Sequence, residues 1–247
     1  MALLWTEGVS KSFDGRQIIR DISIHLEEGE LVSLLGISGS GKTTLLNILS
    51  GLVRPDAGRV LLAGKEITGR PGSVSYMLQK DLLLPHKKVV DNAALPLVLR
   101  GVKKEEARQK AGALFPSFGL DGTQELYPSQ LSGGMRQRAA LLRTYLASDT
   151  GVALLDEPFS ALDMITKDQM HIWYQDMMRK IHLSTLLITH DVDEAIVLSD
   201  RIYLLTGSPG EIHQEIPIDT PRDQRKDFNV SPAFLEYKQR ILRPLGQ

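Results

Sequence analysis

The sequence has no cysteine among its 247 residues, which excludes a disulfide framework and fits a reducing compartment. It also lacks an excess of charge, because 29 Lys and Arg stand against 30 Asp and Glu, for a formal net charge of -1. Since no overall positive field is present to attract phosphate backbones, we expect no nucleic-acid partner.

Long apolar segments are missing as well, and we expect no signal peptide. The longest apolar run, Ala93–Leu99, is interrupted by Pro96 and falls far short of the ~20 residues that a membrane-crossing helix needs. The opening Ala2–Trp5 is too short for the apolar part of a signal peptide, and no basic segment precedes it. We expect a chain that does not cross a membrane and that would reach one only through partners on the cytoplasmic face.

The chain is long enough to bury a full core, and strand patterns alternate with helix patterns along it. Residues 1 to about 35 predict antiparallel strands with a turn at Asp14-Gly15, and Leu31–Leu35 is typical of a strand buried on both faces. Later strands alternate with helical segments, which implies parallel pairing under helical crossovers. These later strands are Val152–Leu155, Ser184–Ile188 and Arg201–Leu205. The pattern predicts an α/β fold with a mostly parallel sheet.

A mostly helical segment interrupts this alternation, and a proline-punctuated tail follows it, ending in a predicted helix at Pro232–Leu242. The expected organisation is one domain, residues 1–247, with a core at 1–87 and 148–205, an inserted α-helical subdomain at about 88–147, and a short C-terminal extension at 206–247.

A glycine-rich segment between a predicted strand and a predicted helix matches the pattern G-x-x-x-x-G-K-[ST]. Its glycines let successive N–H groups converge on phosphate oxygens, and the helix N-terminus adds a positive dipole end. Lys42 would place a charge on the β- and γ-phosphates, and the Thr43 hydroxyl would ligate Mg²⁺. The motif predicts a nucleoside triphosphate but leaves kinases, GTPases, motors and transport ATPases open. It consists of Gly36, Ile37, Ser38, Gly39, Ser40, Gly41, Lys42 and Thr43, with Thr44 as the next residue of the expected nucleotide site.

Two carboxylates, Asp156 and Glu157, follow the apolar run Val152–Leu155. The carboxyl end of a strand in a parallel sheet is the edge that a phosphate loop also occupies. Asp156 would hold Mg²⁺ through a water, and Glu157 would orient or deprotonate the water that attacks the γ-phosphate. Adjacent carboxylates repel each other, and a bound Mg²⁺ would supply the compensating charge.

A third motif, Leu131–Arg138, decides between the classes of nucleotide-binding protein. Ser132 is a good N-cap, and a helix that starts with Gly133 and Gly134 presents bare N–H groups at its positive end. The chain thus carries a second phosphate-binding arrangement. A switch-type GTPase would carry the base-reading motif Asn-Lys-x-Asp, which is absent from this sequence. Small-molecule kinases lack a motif of the kind found at Leu131–Arg138.

These three motifs in this order resemble the ATP-binding subunit of an ABC transporter, over nearly the whole chain. The resemblance implies a P-loop NTPase core of the RecA-like type, with an N-terminal antiparallel β subdomain and an inserted helical subdomain. It implies ATP and Mg²⁺ as cofactors. It also implies a head-to-tail homodimer, in which Ser132, Gly133 and Gly134 cap the γ-phosphate that is bound by the partner's Lys42. Met135 stands where many relatives have Gln.

The resemblance also assigns roles to residues that sequence patterns alone would not single out. Phe13 would stack on adenine, Gln79 would touch Mg²⁺ and the attacking water, and Asp163 would lie on the loop that couples the two sites of the dimer. His190 would be the switch histidine that contacts the γ-phosphate and holds Glu157. The implied catalytic residues are Glu157, His190 and Gln79, and the implied metal ligands are Thr43, Gln79 and Asp156.

Three kinds of ABC protein carry such motifs: an importer subunit, an exporter subunit, and a soluble protein without a transport role. Segments Gln79–His86, Asp91–Leu97 and Gly207–Ile212 are similar to the nitrate, sulfonate and taurine importer branch, which includes ATPases for thiamine-precursor pyrimidines. That branch implies two permease copies and, indirectly, an extracytoplasmic solute-binding protein as partners. No residue of this chain selects the solute.

Overall fold

The structure is a computed structural model that describes residues 2–225 and 228–246. Its strands are β1 Ala2–Phe13, β2 Arg16–Ile22, β3 His25–Glu27, β4 Leu31–Gly36, β5 Ala57–Leu62, β6 Lys65–Glu66, β7 Ser75–Met77, β8 Val152–Asp156, β9 Ser184–Thr189, β10 Arg201–Thr206 and β11 Glu211–Pro217. Its α-helices are α1 Lys42–Leu49, α2 Val89–Leu99, α3 Lys104–Leu114, α4 Gly133–Ala147, α5 Met164–Ile181, α6 Val192–Leu198 and α7 Pro232–Leu242. The chain divides into two compact units, residues 1–74 with 182–247 and residues 75–181.

The first unit contains an antiparallel sheet in the order β2-β1-β5-β6, with β3 also paired to β1. The predicted turn at Asp14-Gly15 is confirmed, since Phe13 pairs with Arg16 and both turn residues have left-handed φ angles of 50° and 78°. Such angles match the right-handed twist of the two strands in a hairpin.

The first unit also contains the strands β11-β10-β4-β9 in that order. The strand β4 is buried throughout and runs parallel to β9 and β10, as its continuous apolar sequence predicts. The register pairs Leu35 with Thr189 and Gly36 with Leu205, so these three parallel strands end at one edge. The antiparallel β11 lies beside β10, and α6 and α7 pack together over an apolar cluster that includes Phe228, Phe234 and Ile241.

The second unit holds the parallel pair β7 and β8, in which Met77 pairs with Leu155, together with helices α2 to α5. The helix α2 packs against α3 and α4 and continues through Pro96. Its N-terminal residues are buried, and aromatic side chains such as Phe115 and Phe118 fill the interior of this unit.

The predicted α/β class with a mostly parallel sheet is confirmed, and so is the predicted helix at Pro232–Leu242. The strand β11 lies inside the tail for which only a helix was predicted. Its apolar residues are sparse, and its alternating burial reflects pairing with β10 rather than a local pattern. Among the described residues, no helix combines the length and apolar character that spanning a bilayer requires.

Candidate active site

The segment predicted to bind phosphate forms a loop between β4 and α1. Ile37, Ser38 and Gly39 are exposed, and a Cβ added to Gly39 would meet no atom within 4 Å, so the outer side of the loop is open. Gly39 and Gly41 have left-handed φ angles of 82° and 97°, which only glycine adopts without cost. A loop of this kind turns backbone N–H groups toward one concave side, where they can bind an anion.

Lys42 begins α1, and its side chain is buried. The Nζ atom donates to the carbonyl oxygens of Gly36 at 2.7 Å and of Ile37 at 2.9 Å. These bonds hold the ammonium group at the start of the helix, where the dipole of α1 is also positive. Thr43, exposed, and Thr44, partly exposed, follow in the first turn. The segment therefore concentrates positive potential and N–H donors, as a triphosphate requires.

Phe13 ends β1 and is 45% exposed at the β1–β2 hairpin. Its ring lies 5.2 Å from the Nζ atom of Lys11, which is in turn paired with Asp56 at 2.7 Å. An exposed aromatic face on a hydrogen-bonded hairpin is suited to stacking on a base, because stacking needs a flat and accessible surface.

His190 directly follows β9, while the phosphate loop directly follows β4. Because β4 and β9 are parallel and in register at Leu35 and Thr189, both segments emerge at the same edge of the first unit's sheet. Asp191 caps α6, its Oδ1 accepting hydrogen bonds from two N–H groups of the first turn at 3.0 Å and 3.1 Å. The cap fixes the backbone on the C-terminal side of the exposed His190.

In the second unit, Asp156 ends β8 and is only 7% exposed. The hydroxyl of Tyr76, on the neighbouring β7, donates to its Oδ2 at 3.3 Å. Burial, followed by the charge of Asp156, raises the pKa of Tyr76 well above its usual value. The phenol therefore stays protonated and acts as a donor, which orients the carboxylate.

Glu157 follows with a left-handed φ of 46°, an angle that a side-chain-bearing residue seldom adopts. The Nε2 atom of Gln79 donates to its Oε2 at 3.2 Å and to the Oγ of Ser160 at 3.3 Å. Ser160 in turn donates to the Glu157 carbonyl at 2.9 Å. The second unit thus brings Gln79, Glu157 and Ser160 into one hydrogen-bonded group.

The helix α4 begins where the Leu131–Arg138 motif predicts. Ser132 is its N-cap, with Oγ accepting from the N–H of Met135 at 3.2 Å. A Cβ on Gly134 would lie 3.3 Å from Thr166 Cγ2, so this end of the helix packs closely against α5. On Gly133 the nearest atom to such a Cβ would be 3.5 Å away, an ordinary contact, and Gly133 is partly exposed. The N-terminus of α4 is therefore suited to bind a phosphate.

Asp163 is the residue before α5, and its Oδ1 accepts from the N–H of Thr166 at 3.0 Å. Hydrogen bonds from Thr166, first from its side chain and then from its backbone, lower the pKa of the Asp163 carboxyl. The observed role of Asp163 is thus to cap α5; its coupling role in a dimer stays a prediction.

The side chains that the family resemblance assigns to Mg²⁺ all carry oxygen ligands. The hydroxyl of Thr43, the amide oxygen of Gln79 and the carboxylate of Asp156 are the hard ligands that Mg²⁺ prefers. Over residues 2–225 and 228–246, no group of three or more His, Cys, Asp or Glu is arranged to hold a metal by itself. Mg²⁺ in nucleotide sites is commonly held by one or two carboxylates together with phosphate oxygens.

Several side chains that organise the site were not found from the sequence. Tyr76 contacts Asp156 on the neighbouring strand, and Ser160 contacts Gln79 from the turn after β8. In the sequence, only their position next to the motifs could have identified them as site residues. The buried Asn92 accepts from the Leu84 N–H and donates to three carbonyl oxygens, and Arg143 donates to the Leu82 carbonyl at 2.8 Å. These two residues fix the loop that follows Gln79.

A phosphate loop between a buried parallel strand and a helix, accompanied by a strand that ends in two carboxylates, defines a P-loop nucleoside-triphosphate-binding protein. Comparison with known families gives the narrower assignment. The family profile described as ABC transporter matches residues 19–160. The chain belongs to the ABC transporter family of ATP-binding proteins.

Its relatives include proteins named for import. The formylaminopyrimidine import ATP-binding protein of Halalkalibacterium halodurans is 43% identical, covering 98% of this chain and 94% of the relative. The nitrate import ATP-binding protein of Synechocystis is 38% identical, over 90% and 86% of the two chains. The taurine import ATP-binding protein of Pseudomonas aeruginosa is also 38% identical, over 98% and 95%.

Among solved structures, a dimeric ATP-binding cassette in a post-hydrolysis state, bound to ADP and Pi, matches with a TM-score of 0.74 and 27% identity. The match covers 88% of this chain and 100% of the cassette's chain. The predicted family and the predicted fold are therefore confirmed.

Proposed function

We propose that this chain is the ATP-hydrolysing subunit of an ABC importer for a small solute. The observation that carries the proposal is the N-terminus of α4, where Ser132 caps a helix that begins with two glycines. The chain already has a phosphate loop of its own, so a second phosphate-binding terminus calls for a second nucleotide, bound by another copy. The import names of relatives with 38% and 43% identity support the direction of transport.

In the proposed reaction, residues 36–44 bind the triphosphate, with Lys42 on the β- and γ-phosphates, and Phe13 stacks on the adenine. Mg²⁺, when bound with the nucleotide, neutralises charge that develops on the phosphates. Thr43, Gln79 and Asp156 would hold it. The proposal includes the predicted domain organisation, with a core at 1–87 and 148–205, a helical subdomain at about 88–147 and a C-terminal extension at 206–247.

Glu157 is the proposed base, because a carboxylate beside the γ-phosphate can orient or deprotonate the attacking water. The amide of Gln79 holds this carboxylate at 3.2 Å, which limits the directions in which it can accept a proton. His190 would contact the γ-phosphate, and Asp163 would couple the two nucleotides of the dimer.

The proposed assembly is a head-to-tail homodimer in which Ser132, Gly133 and Gly134 close over the nucleotide of the partner copy. The dimer would bind integral-membrane permease subunits on the cytoplasmic face of the membrane, and a solute-binding protein would deliver the substrate outside. Closure on ATP and opening after hydrolysis would drive the permease.

The proposed solute class is nitrate, a sulfonate such as taurine, or a thiamine-precursor pyrimidine, from the printed names of the relatives and the branch resemblance. An exporter subunit and a soluble non-transport ATPase are the alternatives that an experiment must exclude.

A pull-down from native membranes separates these alternatives. The bait is tagged Glu157→Gln with Mg-ATP, which should bind ATP, lose hydrolysis by at least about 100-fold and stay in the closed dimer. Lys42→Ala, which should not bind ATP, is the control. We expect the Glu157→Gln bait to recover a multi-span permease together with a solute-binding protein.

Recovery of a permease without a binding protein would favour export. An ATP-dependent dimer without any membrane partner would favour a soluble ABC protein. ATP hydrolysis at the wild-type rate by Glu157→Gln would contradict the proposed role of Glu157 as the base.

A further inference from the structure

Gly210 touches the phosphate loop from the side of the β10–β11 hairpin. A Cβ built on Gly210 would lie 2.0 Å from the carbonyl oxygen of Ser40 and 3.2 Å from its carbonyl carbon. Real Cβ atoms essentially never approach another heavy atom closer than 3.0 Å. Any residue with a side chain at position 210 must therefore displace either the hairpin or the Ser40 carbonyl.

The backbone of Gly210 does not itself require glycine. Its φ is not in the left-handed region, in contrast to that of Gly207 in the same hairpin, which is 88°. Space is therefore the reason for glycine at this position, and the close approach to Ser40 is what occupies the space.

The hairpin cannot easily retreat from the loop, because it is hydrogen-bonded to β2. The Gly210 N–H donates to the Ile18 carbonyl at 2.8 Å, and the Arg20 N–H donates to the Gly210 carbonyl at 3.0 Å. The loop rests on the same strand, since a Cβ on Gly41 would lie 2.4 Å from Ile19 Cγ2. Strand β2 thus fixes both sides of the Gly210–Ser40 contact.

The contact acts on a peptide unit that belongs to the phosphate cradle. The Ser40 carbonyl and the Gly41 N–H form one rigid, trans peptide plane, so they point in opposite directions. When the carbonyl oxygen lies against Gly210, the Gly41 N–H faces the other way. A push on the oxygen tilts the whole plane and redirects that donor.

We propose that Gly210 is a positioning residue for the phosphate loop: its bare Cα lets the Ser40–Gly41 peptide take the tilt that directs the Gly41 N–H toward a bound phosphate. This inference rests on the proposed function, because the phosphate is that of the nucleotide. It adds a residue outside the three sequence motifs to the nucleotide site.

The test compares Gly210→Ala with Gly112→Ala. Gly112 lies in α3, has no left-handed φ, and a Cβ there would meet nothing within 4 Å, so it controls for the substitution itself. We expect the dissociation constant for Mg-ATP to rise tenfold to 100-fold in Gly210→Ala, since losing one hydrogen bond to a charged phosphate weakens binding by about that factor. The kcat at saturating ATP should stay within about threefold of wild type, and Gly112→Ala should match wild type.

Unchanged ATP affinity in Gly210→Ala, with or without a lower thermal midpoint, would overturn the inference and leave a packing role only. If the wild-type protein does not bind ATP, the proposed function is overturned, and the inference with it.

A second measurement uses the wild-type protein, in case Gly210→Ala does not fold. If the Gly210 contact sets nucleotide affinity, nucleotide must stabilise the contact by the same factor. Hydrogen exchange of the Gly210 and Arg20 amides should then slow at least tenfold on addition of Mg-ATP. Exchange that does not change at these amides, while the phosphate loop becomes protected, would contradict the positioning role.

Discussion

At the scale of single residues, Glu157 combines a strained backbone with a restrained side chain. Its φ of 46° costs roughly 1–3 kcal/mol for a residue that is not glycine. The Gln79 amide donates to the Glu157 carboxylate, and the Ser160 hydroxyl donates to the Glu157 backbone carbonyl. These two bonds hold the residue in place. Such strain is concentrated at functional positions, which supports the proposed role of Glu157 as the base.

Tyr76 gives a prediction at the same scale. Because its pKa is raised by burial and by Asp156, its hydroxyl remains a donor to the proposed Mg²⁺ ligand over the physiological pH range. Tyr76→Phe should cost about 1 kcal/mol of stability and raise the Mg²⁺ concentration for half-maximal ATPase about tenfold. A titration of ATPase activity with MgCl₂ measures this, and the exposed Tyr127, changed to Phe, is the control. An unchanged Mg²⁺ requirement in Tyr76→Phe would show that the hydroxyl does not orient Asp156.

At the scale of secondary-structure elements, the C-terminal extension fastens α6, the helix that begins just after His190. The buried Arg225 donates through Nη1 to the carbonyls of Ile196, Val197 and Ser199 at 3.2, 3.1 and 2.7 Å. Burial lowers the pKa of Arg225 to about 10, which still leaves it charged at neutral pH. A buried cation on the last carbonyls of α6 complements the negative end of the helix dipole.

Removal of this buried cap should be costly. We expect Arg225→Met to lower the free energy of unfolding by about 2–4 kcal/mol, because it leaves carbonyl groups without their charged donor. Lys238→Met is the matched control, since Lys238 binds the other end of α6 through an exposed pair with Asp193 at 2.6 Å. An exposed pair contributes less than about 1 kcal/mol. Equal losses in urea denaturation of the two variants would contradict a special role for Arg225.

The elements also show where prediction from sequence ends. The strands β4 and β8 were predictable because each is a continuous apolar run, and β9 and β10 because strand patterns alternate with helix patterns there. The helix α4 was predictable because Ser132 and two glycines mark its start. The strand β11 was not, because its pairing with β10 depends on a partner and not on its own composition.

The site divides in the same way. The phosphate loop, the acid pair and the signature helix are contiguous motifs, whereas the contacts of Tyr76 with Asp156 and of Gly210 with Ser40 join distant parts of the chain. Contacts of that kind become visible only when the chain is folded.

At the scale of the whole molecule, the proposed homodimer makes Ser132 serve two purposes. It caps α4 within its own chain, and it would face the γ-phosphate bound by the partner's Lys42. Replacement by alanine removes both functions at once, so a loss of activity could not be assigned to either. A substitution that keeps the cap and opposes the phosphate separates them.

Ser132→Asp is that substitution, because aspartate is as good an N-cap as serine but places a carboxylate where a γ-phosphate would approach. Ser231 is the control, since it caps α7 with its Oγ accepting from the Phe234 N–H at 3.2 Å; its hydroxyl also donates to the Phe228 carbonyl at 2.7 Å, a bond that aspartate cannot make. Ser132→Asp should keep the thermal midpoint of wild type, whereas Ser231→Asp should lower it slightly because the bond to the Phe228 carbonyl is lost. In a Glu157→Gln background with Mg-ATP, Ser231→Asp should dimerise normally, whereas Ser132→Asp should stay monomeric, as measured by light scattering on a sizing column. A stable dimer of the Ser132→Asp protein would show that this helix terminus does not close over the partner's nucleotide, and the head-to-tail arrangement would have to be abandoned.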